Sequence, residues 1–95
     1  MQITVRYLGY LAEIAGRREE TLSVEPAISI ANLLNLLAQR KGHLFQQTVY
    51  DLKEKKVKSN ILVLVNSFTI DQLGGMETKL KRNDLVLITP TISGG

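Results

Sequence analysis

The last five residues, "TISGG", place two glycines beside a terminal carboxyl. Glycine has no side chain, so Gly94 and Gly95 fit a slot too narrow for any other residue. Thr91, Ile92 and Ser93 supply the strip of chain that would thread toward it. A terminal carboxyl has a pKa around 3.3–3.7 and is ionised at neutral pH, a poor electrophile. It becomes reactive as an acyl-adenylate. Sulfur attacking that adenylate leaves a thiocarboxylate, whereas passage through a thioester to a lysine amine leaves an isopeptide. Either route needs ATP, and no lysine follows a glycine loop at P-loop spacing; Gly74 and Gly75 read as a plain turn. The expectation is a Gly95 carboxyl activated in trans by an enzyme that brings the ATP, with no cofactor or metal bound by this chain.

Other chemistries find little support. Zero cysteines leave no thiolate nucleophile, disulfide or iron–sulfur ligand set, and the single histidine, His43, cannot build a zinc site. His43 follows Gly42 and reads as a solvated turn residue, and the pair Glu19 and Glu20 reads as solvated too. The chain does not look like a catalyst. Its net charge of +3 points to an acidic partner surface. Basic residues gather at Lys53, Lys55, Lys56 and Lys58, at Arg17 and Arg18, and at Lys79, Lys81 and Arg82. Only 5% of residues are aromatic and none lies in these runs, so base stacking is unsupported and nucleic acid is not the expected partner. No apolar run reaches membrane length and no leader pattern opens the sequence, so a cytoplasmic protein is expected.

The elements that must carry such a tail are readable in outline. Ile3, Val5 and Tyr7 alternate with Gln2, Thr4 and Arg6, the mark of a half-buried strand. Leu11, Ile14 and Ala15 suit a short helical turn between Gly9 and Gly16, and "EETLSVE" a second strand with Leu22 and Val24 inward. Ser29 is an N-cap candidate, with Ile28 and Leu33 at hydrophobic-staple spacing. Ile30, Leu33, Leu34, Leu37 and Ala38 form a helical stripe that Gly42 closes with a left-handed cap. Phe45, Val49 and Leu52 suggest one face of a short helix ahead of the charged run "KEKKVK". "ILVLV" reads as a central strand, "FTI" as a short strand after a turn at Asn66 and Ser67, and "LVLITP" as the last strand. The order predicts an α+β roll with a four- to five-stranded mixed sheet and one main helix on one face. The β-grasp (ubiquitin-like) arrangement is the simplest topology that satisfies it. Residues 1–90 form the domain and 91–95 a flexible tail.

The last strands carry more apolar residues than one buried face needs. Alternation leaves either Leu62 and Leu64 or their neighbours, and either Leu85 and Leu87 or theirs, on the face away from the helix. Either residues 43–58 fold over that face, or Leu62, Leu64, Leu85 and Leu87 form a partner-docking patch.

These pieces, in this order, resemble the β-grasp sulfur-carrier family: the small subunit of molybdopterin synthase and, close to it, the archaeal ubiquitin-like small modifier proteins. "ITVRYLGYLAEIAGRREETLSV" is similar to the family's first two strands and the turn between them, "SIANLLNLLAQRKG" to its helix. "VLVN", "LKRNDLVLITP" and the final "GG" are similar to its closing signature. The chain departs from the pattern at Ser67 and Asn83, where the family carries glycines. It departs again at Thr89, Pro90 and Thr91, where the family has an aromatic and two prolines. The resemblance implies that Gly95 is adenylated by an enzyme of the ubiquitin-activating type and converted to a thiocarboxylate, with Gly94 its slender neighbour. It implies that activating enzyme as a partner and, in one branch, the large subunit of molybdopterin synthase. Three functions follow: a sulfur carrier serving molybdopterin synthesis or tRNA thiolation, a ubiquitin-like modifier joined to protein lysines through Gly95, and a passive β-grasp interaction or RNA-binding domain.

Overall fold

Alternation at the N-terminus does make a strand. In the computed structural model, which describes residues 1–91, β1 (Gln2–Tyr7) buries Ile3, Val5 and Tyr7 and leaves Gln2 and Arg6 in solvent. A one-and-a-half-turn helix, α1 (Leu11–Ala15), leads to β2 (Glu19–Ser23), which pairs antiparallel with β1. The helix α2 (Ile30–Lys41) starts as its sequence demands: Ser29 Oγ accepts the Asn32 N–H at 3.1 Å, and Ile28 and Leu33 are both buried. Its stripe of Ile30, Leu33, Leu34, Leu37 and Ala38 is 0–1% exposed against the sheet. Each such large side chain contributes roughly 1.5–3 kcal/mol of burial.

Gly42 differs from expectation. Its N–H closes α2 on the Ala38 carbonyl at 3.1 Å, but its backbone (φ 90°, ψ −162°) lies in an extended, glycine-only region instead of the left-handed helical one. That sharper reversal lets α3 (His43–Thr48) begin at the next residue. Phe45 and Val49 are buried, but only Phe45 lies within α3: Val49 is its C-cap and Leu52 falls beyond it. Residues 50–57 form a hairpin of β3 (Tyr50–Asp51) and β4 (Lys56–Val57), because the Asp51 carboxylate accepts the N–H groups of Lys53 (2.9 Å) and Glu54 (3.0 Å) and bends the chain.

The sequence left open whether this segment covers the helix-free face. It does not. The Phe45 ring meets the helix-facing Tyr7 ring edge-on at 6.3 Å, and α3 and β3 pack on α2.

The remaining strands are β5 (Ile61–Val65), β6 (Phe68–Thr69) and β7 (Leu85–Pro90), with short 3-10 turns at Ile70–Gln72 and Gly75–Glu77 between the last two. The sheet order is β2-β1-β7-β5-β6, with β1 and β7 parallel and the other pairs antiparallel. This is the expected β-grasp roll. "ILVLV" does have a neighbour on each side, but the middle of the sheet is β7. Leu80, inside a stretch that reads as a polar loop, is 2% exposed because its N–H bonds the Ile28 carbonyl at 2.9 Å and pulls the chain over the start of α2.

Both glycine departures fall where the backbone is left-handed: φ is 78° at Ser67 and 67° at Asn83. Beside Ser67, Asn66 (φ 49°) clasps the sheet. Its Oδ1 accepts the Leu85 N–H at 2.9 Å and its Nδ2 donates to Asp84 Oδ1 at 2.8 Å. A left-handed L-residue costs roughly 1–2 kcal/mol, and glycine returns part of that as extra unfolded-state entropy. Ser67→Gly is therefore expected to stabilise the fold by roughly 0.5–1 kcal/mol, read as a higher urea midpoint. Asn83→Gly should do less, since asparagine tolerates that region.

Candidate functional site

β7 carries the chain from the middle of the sheet to its end. Pro90 pairs with Ile61. Gly9 (φ 58°) lies close enough that a Cβ on it would sit 3.6 Å from Pro90 Cγ. One residue further, Thr91 donates its N–H (2.9 Å) and its hydroxyl (3.3 Å) to the Asn60 carbonyl, and the Asn60 amide reaches the Tyr10 hydroxyl at 3.4 Å. Thr91, the first of the predicted tail residues, is thus still held to the sheet. Ile92, Ser93, Gly94 and Gly95 lie outside the described residues. Four residues beyond Thr91 span at most about 14 Å.

The helix-free face of the same strand carries the predicted patch. Ile61, Val63, Val65, Val86 and Ile88 are buried toward α2, and Leu62, Leu64, Leu85 and Leu87 lie half-buried on the other face. The register sets Leu64 opposite Leu87 and Leu62 opposite Thr89, while on the β1 side Arg6 flanks Leu87 and Thr4 flanks Leu85. The four leucines form one patch whose long direction is that of β7.

The charges behave less simply than the sequence suggested. Glu20, read there as solvated, is enclosed: its Oε2 lies 2.7 Å from Lys41 Nζ and accepts the Tyr7 hydroxyl at 2.5 Å. The Glu20 and Lys41 side chains are 10% and 13% exposed. Lys41 also donates to the Ala15 carbonyl at 3.0 Å and sits 5.4 Å from the centre of the Tyr7 ring. Burial alone would raise the Glu20 pKa. The hydrogen bonds from Lys41 and Tyr7, with the positive charges of Lys41 and Arg17, outweigh it and hold the carboxyl below its ordinary value. Tyr7 shifts the other way, pushed far up by burial first and then by Glu20. The pairing is invisible in sequence because its partners lie in β1, β2 and the end of α2.

His43 is exposed at the start of α3 and shares a shallow cleft with Asp51, but that carboxylate is engaged by the hairpin N–H groups and lies 3.7 Å from Lys58 Nζ. Among the described residues there is no cluster of His, Cys, Asp or Glu able to hold a metal ion, and no helix is long and apolar enough to cross a membrane. The three basic runs lie on separate parts of the fold: the β3–β4 hairpin, the α1–β2 turn and the approach to β7.

Comparison with known proteins agrees with this architecture. The ThiS family model matches residues 5–95. A ubiquitin-related modifier 1 homolog of Drosophila simulans is 38% identical over 84 residues, covering 83% of this chain and 76% of that protein. The solution structure of Urm1 from Trypanosoma brucei superposes with a TM-score of 0.80 at 27% identity, covering 99% of this chain and 95% of that one. That of the small archaeal modifier protein 1 from Methanosarcina acetivorans gives 0.78 at 31% identity, covering 99% and 96%. With the family match running from β1 through the final glycine, this chain belongs to the ThiS family of β-grasp sulfur carriers and ubiquitin-like modifiers.

Proposed function

We propose that this protein is a sulfur carrier working through its Gly95 carboxyl. The observation that carries the proposal is the family match through residue 95, joined to a central strand that runs directly into the tail. In this reading the carboxylate attacks the α-phosphate of ATP held by a ubiquitin-activating-type enzyme, and pyrophosphate leaves. A hydrosulfide-equivalent sulfur then displaces AMP, leaving a thiocarboxylate that donates sulfur to the molybdopterin precursor or to a tRNA uridine. In the first case the large subunit of molybdopterin synthase is the further partner. Gly94, Ser93, Ile92 and Thr91 thread into the activating enzyme, and Leu62, Leu64, Leu85 and Leu87 dock against it. Replacing Leu87 with Arg at the patch centre should raise the KM for carrier in ATP–pyrophosphate exchange roughly tenfold. An unchanged KM would remove this face from the docking surface.

The relatives named as modifiers favour a second reading, in which the same adenylate passes through a thioester to protein lysines. A thiol-reactive probe on protein taken from its own host separates the two. The chain has no cysteine, so labelling confined to Gly95 is the expected result and identifies the thiocarboxylate. An unlabelled terminus together with lysines bearing a glycine remnant of this tail would replace the carrier by the modifier.

A further inference from the structure

Among the described residues the sheet ends on one side at β2 with no further strand beside it. The other side ends at β6, only two residues long and turned in by the hairpin at Asn66 and Ser67. Along β2 the backbone groups alternate between β1 and solvent. The Arg18 carbonyl accepts the Tyr7 N–H at 2.8 Å, and the Val24 N–H reaches the Met1 carbonyl at 2.8 Å. The period of two then directs Glu20 and Leu22 inward and turns the N–H and C=O groups of Glu19, Thr21 and Ser23 outward, where they have no protein partner among the described residues.

This edge is bordered by a cleft of about 360 Å³ between the end of β2 and the outer side of α2. Val24, Ile28 and Leu36 give it an apolar floor, and Asn32, Asn35 and Gln39 line it from successive turns of the helix beside Ser23 and Glu25. At the opposite end of β2, Arg17 and Arg18 are exposed and form no ion pair among the described residues; Arg40 lies on the last turn of α2, whose Lys41 reaches Glu20. A peptide strand laid beside β2 would meet all three features. Its backbone would satisfy the outward groups, its apolar side chains on the helix side would enter the cleft, and its acidic residues would face the arginines.

We propose that the β2 edge binds an extended segment of another protein by strand addition, the segment having alternating apolar residues and an acidic end. The edge is built from neither the tail residues nor the four leucines, so a chain lacking Gly94 and Gly95 is expected to bind the peptide unchanged. The probe is a synthetic peptide of alternating valine and threonine with an aspartate run at one end, titrated into isotopically labelled protein. The expected result is saturable amide shifts at Glu19, Thr21, Ser23 and Leu36. Proline placed at a peptide residue whose N–H must pair should weaken binding roughly tenfold, as should Arg18→Glu, at an exposed side chain that forms no ion pair among the described residues and, unlike Arg17, is not among the charges that hold Glu20. Equal binding by the proline peptide, shifts confined to the leucine patch, or no shifts at peptide excess would overturn the proposal. So would concentration-dependent dimerisation that perturbs the same amides without peptide, which assigns the edge to a second copy of this chain.

Discussion

Deleting Gly94 and Gly95 is expected to abolish ATP–pyrophosphate exchange with the activating enzyme and leave the melting curve where it was. The last described contact of the chain is Thr91 on the Asn60 carbonyl, and among the described residues every buried apolar side chain lies between Ile3 and Ile88. The described core and its hydrogen bonds are therefore complete without the last two residues, whereas the proposed chemistry loses its reacting carboxyl. A chain ending at Ser93 still has a carboxylate, but it lies two residues, or about 7 Å, short. Misplacement of a reacting group by even 1 Å costs on the order of 10²-fold. Gly94→Val keeps the length and adds a branched side chain where the slot must be narrow, and its exchange rate should fall by a similar factor. Full exchange by the truncated chain would show that activation does not depend on the Gly95 carboxyl and would overturn both readings as built on that residue, whereas full exchange by Gly94→Val would remove only the narrow slot. Peptide binding at the β2 edge would survive in every case.

Lys41→Met should be the most destabilising single change at a charged residue, by about 3 kcal/mol in urea unfolding. It leaves the Glu20 carboxylate enclosed with the Tyr7 hydroxyl as its one remaining side-chain partner, and removes the tie from α2 to the Ala15 carbonyl. Glu20→Leu combined with Lys41→Met should recover much of the loss, because most of it is the unpaired charge and little the net worth of the pair. The pH dependence has two limbs of opposite sign. The Glu20 pKa is depressed, so its contribution is complete above the ordinary value of 4.5 and disappears as pH falls through the lower folded value. The Tyr7 pKa is raised, so its contribution is complete below the ordinary value of 10.0 and fades above it, where the unfolded chain ionises first. Glu20→Gln should flatten the acid limb; an unaltered acid limb would mean that another carboxylate carries it.

Features with a local signature were legible before any coordinates. Ile3, Val5 and Tyr7 alternate over a full strand, and the α2 stripe repeats over three turns, so each pattern is its own proof. The leucine patch was legible by subtraction, because two neighbouring strands had more apolar residues than a single buried face accepts. The β3–β4 hairpin was not legible: two-residue strands are too short to show a period, and what shapes them is the Asp51 side chain bonding forward to its own turn. Leu80 and Glu20 were missed for a different reason. Their environments come from Ile28 and Lys41, 52 and 21 residues away in sequence, and nothing beside them announces it. Ser67 and Asn83 are intermediate: the resemblance marked them as departures, and only the backbone angles showed that both hold a conformation glycine would take more easily.

The position of β7 also decides how the protein answers a pull. The start of β1 and the tail lie at opposite ends of two parallel strands, and β7 is bonded on both flanks, in four registered positions to β1 and five to β5. Tension applied to the tail while a partner holds the body acts along the strand axis, across the hydrogen bonds. It therefore loads both ladders at once instead of opening them pair by pair from one end. A chain pulled by its C-terminal end is thus anchored where the sheet resists shear best.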